Sequence, residues 1–215
     1  MNLDAMAQRA GIAFARWRYA GRADSALRML WQASPLSGKR SRDFLAVDLE
    51  TTGLRPADDE VLSIAWVPVR AGAAYPGEGR HLLVKPRQSV GDSAAFHALR
   101  DCDLVGAINL EAALAAFFEV AAGRVLVFHG GQLDLAFLNA GCRRQFGAPL
   151  LMPHIDTLVW QRRRLNRRQQ PIAPGELRLG ACRRAFHLPD YPPHNAAVDA
   201  LATAELLLAL LASQA

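Results

Sequence analysis

Cysteine is scarce in this chain: Cys102, Cys142 and Cys182 are the three in 215 residues, widely spaced and without a CxxC pair. An odd, unpaired set argues against a disulfide framework or a thiolate zinc site and for a reducing, cytoplasmic setting. Long apolar runs are missing too. The stretch Leu206–Ala212 falls far short of the ~20 residues that span a bilayer, so no membrane helix is expected. The N-terminus lacks a continuous apolar core ending in a small-residue cleavage site, which argues against a secretory signal. It is arginine-rich and acid-poor, as an organellar transit peptide would also be. Lysine is nearly absent, two of the 25 basic residues, which points to a GC-rich bacterial gene that would need no transit peptide. Hydrophobic residues at 51% and charged residues at 21% exclude disordered, collagen-like and coiled-coil chains. The length suits one domain with a real core and a small appendage.

What is present is unevenly placed. The net charge is +5, yet residues 1–42 hold eight basic residues against two aspartates, while residues 43–215 are close to neutral. The basic character therefore belongs to the N-terminal segment and is weak grounds for nucleic-acid binding by the rest. In that segment Leu3, Met6, Ile12, Phe14 and Trp17, then Leu27, Leu30 and Trp31, recur at mostly helical spacings, with Gly21 as a break. A Pro/Gly-containing polar linker follows, placing a boundary near residue 42. The arm either packs on the domain through its Trp and Leu residues or is a basic arm that touches nucleic acid or a protein partner.

From residue 43 the pattern changes. Phe44–Leu49, Val61–Val69 and His81–Val84 read as successive strands, and Val125–Phe128 and a brief segment at Ile155 as two more. Leu110–Ala122, Gln132–Phe146, a segment carrying Thr157 to Trp160, Leu177–Phe186 and Ala196–Leu211 read as helices. The expected class is α/β with a mixed sheet.

Three acidic segments carry candidate chemistry. In Asp48-Leu-Glu50-Thr-Thr-Gly53, strand alternation puts Asp48 and Glu50 on one face at the end of an apolar element, which is costly unless cations offset the repulsion. Two solvated acids at a strand end are the alternative. In His129-Gly-Gly-Gln-Leu-Asp134, the acid falls in the first turn of a helix, where capping alone would account for it. In His194-Asn-Ala-Ala-Val-Asp199, the preceding Pro192-Pro193 keeps His194 off the helix that presents Asp199. Asp58, Asp59, Asp92 and Asp101 lie in loop-like stretches and need no role beyond solvation. The Arg162–Arg164 and Arg167–Arg168 run is either a phosphate-tracking patch or a solvated face.

Taken together, in this order, the segments resemble the DnaQ-like (DEDDh) 3′→5′ exonuclease family, similar to the polymerase III proofreading-subunit group. The likeness covers roughly residues 43–211. It implies a ribonuclease H-like mixed five-stranded sheet with helices on both faces, preceded here by the helical extension of residues 1–42. It implies two divalent metal ions, Mg²⁺ or Mn²⁺, on Asp48, Glu50, Asp134 and Asp199, with His194 as general base. Four carboxylates and two such ions make a nearly neutral site that a polyanion can enter. Thr51, Thr52, Gly53 and Leu54 would face the terminal nucleotide, while His97 is expected to be structural. The expected activity is release of nucleotides from the 3′ end of single-stranded DNA in proofreading or repair. RNA trimming is the enzymatic alternative, and a non-catalytic nucleic-acid-binding module the alternative of another class. Asn195 stands where the tyrosine subclass has its base, so the histidine subclass fits better. Gly130 stands where the family usually has Asn, and Leu133 where it usually has Phe, which puts substrate preference in doubt.

Overall fold

The computed structural model describes residues 3–34, 36, 43–91, 99–169 and 171–213. The linker around residue 42, Asp92 and His97 lie outside them. Two helices come first, α1 (Leu3–Tyr19) and α2 (Ser25–Ala33), the second capped by Asp24, whose carboxylate accepts from the Ala26 N–H. Gly21 lies in the turn between them. Strands β1 (Phe44–Thr51), β2 (Val61–Arg70), β3 (Ala73–Ala74) and β4 (Arg80–Leu83) follow. Helix α3 (Leu110–Ala121), β5 (Val125–Phe128), α4 (Gln132–Phe146), β6 (His154–Asp156), α5 (Thr157–Arg167), α6 (Leu179–Arg184) and α7 (Ala196–Ala212) complete the order.

The sheet runs β3-β2-β1-β5-β6, with β4 also paired to β2. The β1–β5 and β5–β6 pairs are parallel and the others antiparallel, so the sheet is mixed, as expected. It has six strands among the described residues rather than five. The addition is β3, which returns on β2 through the two-residue turn Ala71-Gly72, with φ of 51° and 79°. Positive φ at both central residues is the hairpin geometry that matches strand twist, and it is normally advertised by Asn-Gly or Asp-Gly. With Ala in the first place the signal is weak. Arg70 compensates by pairing with Glu78 and lying 3.7 Å from the Tyr75 ring centroid.

Alternation along β1 divides the core. Leu45, Val47 and Leu49 join Leu114, Phe117 and Phe128 in the cluster under α2, α3 and α4. Ala46 faces the other way with Ala65 and Val127, against Ala196, Ala200, Ala204 and Leu207 of α7. Small side chains on both sides of that second interface let α7 approach the sheet closely.

The basic arm packs on the rest of the chain through its apolar and polar inner faces. Leu27, Leu30 and Trp31 are buried in the first cluster, and the Trp31 indole donates to the Leu150 carbonyl at 2.6 Å. Arg16 donates to the carbonyls of Leu151, Trp31 and Ser34. The α1–α2 turn rests on the end of α4, where Gly147 has φ +74° and a Cβ would lie 2.2 Å from the Arg22 carbonyl oxygen. Only glycine satisfies both demands. No helix among the described residues is long and apolar enough to cross a membrane.

Candidate active site

Asp48 and Glu50 share parity with Ala46, so both point from the end of β1 toward α7. Asp199 comes to meet them from the first turn of α7, which begins at Ala196 behind its cap Asn195. Ligand atoms of Asp48, Glu50 and Asp199 lie within 4.8 Å of one another. Asp134 enters from the first turn of α4, and its carboxylate accepts from the backbone N–H of Leu49 and from its own. It lies outside that mutual 4.8 Å set yet acts on both Asp48 and Glu50 through its charge.

Burial of like charges raises the affinity of this cluster for protons. Desolvation, then Asp134, Asp199 and Glu50, push the Asp48 carboxyl well above its ordinary value. Glu50 is pushed to about 7 by desolvation and by Asp199 and Asp134, and Asp134 to about 6 mainly by desolvation. Asp199 is also raised by desolvation, against hydrogen bonds from the backbone of His194 and Asn195. Such a set is stressed when ionised, and its donors are all hard oxygens, so it fits divalent cations such as Mg²⁺ or Mn²⁺.

The two motif histidines are treated oppositely. His129 places Nε2 2.9 Å from the Leu177 carbonyl and Nδ1 2.9 Å from the Thr157 hydroxyl, so both ring nitrogens are engaged. Burial lowers its proton affinity. His194 lies in the loop ahead of α7 at φ +67°, a left-handed conformation uncommon for residues other than glycine. Its backbone N–H donates to Asp199 at 2.9 Å, and its ring makes no hydrogen bond among the described residues. Asp48, His129, His194 and Asp199 line one cleft of about 1,090 Å³.

The segment after Glu50 is built around the turn into β2. Thr51 donates its hydroxyl hydrogen to the Gly53 carbonyl at 2.7 Å. Thr52 donates its N–H to the Glu60 carbonyl and accepts the Glu60 N–H on its hydroxyl, so it fastens the two ends of the turn. A Cβ on Gly53 would stand 2.5 Å from the Asp59 carboxylate, which accepts the Arg55 N–H. Leu54 is 76% exposed and projects beyond the turn. Asp59 therefore orders this turn rather than only meeting solvent, and Asp101 likewise accepts from Ser89 and Val90.

Several supporting residues carry no motif. Both carboxylate oxygens of Asp156 bind the Gly130-Gly131 turn, at 2.9 and 3.0 Å, and one also caps α5 through Leu158. Gly130 has φ +73°, in the left-handed region that glycine and asparagine enter more readily than other residues. Gly131 is required for a different reason, since a Cβ there would lie 2.2 Å from that of Phe128. Arg183 is 1% exposed and donates to the carbonyls of Pro189 and Ala202 and to Glu205, while Tyr191 donates to the other Glu205 oxygen. This cluster ties the loop leading to His194 onto α7. Asp156 could have been suspected as a helix cap before Thr157, but a buried Arg183 has no local signature.

The RNase_T exonuclease family model matches residues 45–207. The chain is 34% identical over 84% of its length to a Mycobacterium tuberculosis protein named as a bifunctional exonuclease/endonuclease. It is 32% identical over 78% of its length to a DNA polymerase III subunit epsilon-like protein of Rhodobacter capsulatus. It spans only 28% and 23% of those two relatives. Among solved structures, the zinc-bound form of E. coli ExoI with single-stranded DNA superposes with a TM-score of 0.70. The identity is 19%, covering 81% of this chain and 41% of that one, so the likeness is one of fold.

Proposed function

The chain belongs to the RNase_T exonuclease family, and from that membership we infer a metal-dependent 3′→5′ exonuclease acting on single-stranded DNA, in proofreading or repair. The observation that carries the reading is the convergence of Asp48, Glu50 and Asp199, under the charge of Asp134, in the cleft that His194 overlooks. We assign catalysis to residues 43–215, with residues 1–42 as an added arm, and a cytoplasmic location from the three unpaired cysteines.

Asp48, Glu50, Asp134 and Asp199 would hold two divalent ions, Mg²⁺ or Mn²⁺. When bound, such ions neutralise charge on the scissile phosphate and polarise it for in-line attack. His194 removes one proton from the attacking water as its oxygen bonds to phosphorus and the bond to the leaving 3′-oxygen breaks. The tether from the His194 N–H to Asp199 holds the base beside the carboxylates it serves. Thr51, Thr52 and Gly53 shape the wall beside the terminal nucleotide, and exposed Leu54 offers an apolar contact to its base. The polyanionic substrate meets a cluster whose charge the cations cancel. ExoI in complex with single-stranded DNA supports that substrate class for this fold.

The test is a 5′-labelled single-stranded DNA and an RNA of the same sequence, each with Mg²⁺ or Mn²⁺, beside Asp48→Ala. A ladder shortening from the 3′ end is expected on DNA and should vanish in the variant. No ladder on either polymer refutes the nuclease, and a ladder that survives Asp48→Ala refutes the site. Faster loss of the RNA would move the assignment to RNA trimming.

A further inference from the structure

We propose that Arg178 binds substrate, holding a backbone phosphate of the single strand beyond the one that is cut, and that His129 is its positioning residue; this rests on the nuclease reading above. The cleft that contains the carboxylates encloses about 1,090 Å³, beyond the roughly 300–1,000 Å³ of small-molecule sites. It continues from Asp48, Asp199 and His194 to Pro174, Gly175, Glu176 and Arg178. An oligomer of which one phosphodiester reacts has further phosphates to place in such an extension.

Three arginines line the cleft, and the fold has committed two of them. Arg183 is buried against Glu205 and the carbonyls of Pro189 and Ala202, and Arg184 pairs with Asp190 at 2.9 Å. Arg178 is exposed, and its guanidinium makes no ion pair or hydrogen bond among the described residues. The acids of the lining are occupied as well. Asp48 and Asp199 belong to the carboxylate cluster and Asp190 to Arg184, while Glu176 turns back to accept the Ala173 N–H at 2.7 Å. A strand in the cleft therefore meets an uncommitted guanidinium, whose planar fork of donors suits phosphate.

His129 holds the segment that carries this arginine. A carbonyl only accepts, so the Nε2 of His129 bears a proton and donates it to Leu177, the residue before Arg178, at 2.9 Å. That bond ties the chain ahead of α6 to the end of β5. Within the segment, the Glu176 N–H donates to the Ala173 carbonyl and the Arg178 N–H to the Gly175 carbonyl, at 3.1 and 3.0 Å. Gly175 has φ +81°, and a Cβ there would lie 3.7 Å from the Arg178 Nε, so the arginine stem crosses the turn over Gly175. Arg178 and His129 also border a shallow hollow of about 340 Å³, walled by Leu158, Ile172 and Leu177. A nucleotide whose phosphate sits on Arg178 finds apolar surface there for the face of its base.

Binding of 5′-fluorescein-labelled dT12 to the full chain, followed by anisotropy in EDTA so that no turnover occurs, tests the proposal. Arg178→Gln should weaken binding about tenfold and reduce the slope of log K against log salt by about 0.7, the value for one phosphate contact on a single strand. Arg178→Lys keeps the charge and should restore the slope with part of the affinity. Arg143→Gln removes an exposed charge outside the cleft lining and should leave binding nearly unchanged. With Mn²⁺, Arg178→Gln should raise KM for dT12 about tenfold and raise it less for dTpdT, whose only phosphodiester is the one cut. His129→Ala should reproduce the loss of dT12 affinity, and combining it with Arg178→Gln should cost little more, because both remove the same contact. His129→Gln retains an N–H donor and should recover most of the binding. Unchanged dT12 binding by Arg178→Gln overturns the proposal, and so does an equal loss in Arg143→Gln, which would mean diffuse charge. An equal rise in KM for both substrates overturns the placing beyond the scissile phosphate, and losses that add in the double variant overturn the role of His129. Melting curves identify a His129→Ala chain that fails to fold, and the surface variant Arg178→Gln decides the case without it. Failure of wild type to shorten dT12 with Mn²⁺ would sink the nuclease reading, while the anisotropy would still decide whether Arg178 holds phosphate.

Discussion

The two faces of the sheet are built on different principles. Under α2, α3 and α4, large side chains interlock: Trp66 meets Phe117 and Phe118 meets Phe146, at 6.0 and 4.9 Å between ring centroids. On the opposite face alanines of α7 lie against alanines of β1 and β2, and the same strand parity that provides Ala46 provides Asp48 and Glu50. The first face buries apolar area, which drives folding. The second keeps helix and strand close enough for three carboxylates from two elements to converge, at the expense of mutual repulsion. Adhesion and chemistry are thus separated by the alternation of a single strand.

That separation can be broken experimentally, most severely on the adhesive face. Phe117→Ala should destabilise the protein by about 3–5 kcal/mol, seen as a lower denaturation midpoint at unchanged m. Activity per folded molecule should persist, and its loss in folded protein would mean that the two faces are not independent. Ala200→Leu, on the α7 face, should cost about 1–3 kcal/mol through overpacking. It should also weaken divalent-cation binding by moving Asp199 away from β1, as titration calorimetry would show. Unaltered metal affinity would contradict the idea that small residues set the site.

The charge cluster gives a pH signature of opposite sign to that of an ordinary salt-bridged acid. Glu50 and Asp134 hold protons up to about 7 and about 6 in the fold, above their ordinary 4.5 and 3.8. Between those limits the unfolded chain has released protons that the native one still binds, so metal-free stability falls as pH rises from about 4 to about 7 and then levels. Cations that bind the ionised native cluster reverse this. Melting with and without Mg²⁺ should show a larger stabilisation at pH 8 than at pH 5, and an equal one would show that these carboxylates are not the ligands. The smallest effect belongs to the loop. Tyr191→Phe removes one hydrogen bond to Glu205 and should cost about 1 kcal/mol. If the Arg183 cluster positions His194, kcat should fall more than KM changes, whereas a purely structural bond would lower only the melting temperature.

Much of the geometry of this candidate site is legible in the sequence alone. Asp48 and Glu50 share a face because strand side chains repeat every second residue, Asp134 opens a helix because it follows a Gly-Gly turn, and His194 precedes its helix because two prolines do. The hairpin to β3 was not legible, since Ala71 carries a positive φ that sequence statistics assign to other residues. Nor was the division of the arginine run, in which Arg163 and Arg167 line a groove and Arg164 covers Phe186. Asp59 and Asp101 read as solvated loop acids in the sequence, because the backbone N–H groups of Arg55 and Val90 that they accept from leave no side-chain pattern.

The sequence by itself determined the periodicities, and with them which residues share a face and where helices begin. Those are consequences of local geometry that one stretch of chain carries alone. Tertiary structure decided which of two motif histidines has both ring nitrogens engaged. It also decided that a buried arginine holds the loop of the other, and that a glutamine from the basic arm pairs with the far edge of the sheet. These depend on contacts between residues up to 146 positions apart. They are set by how the packed elements meet, which local propensity does not encode.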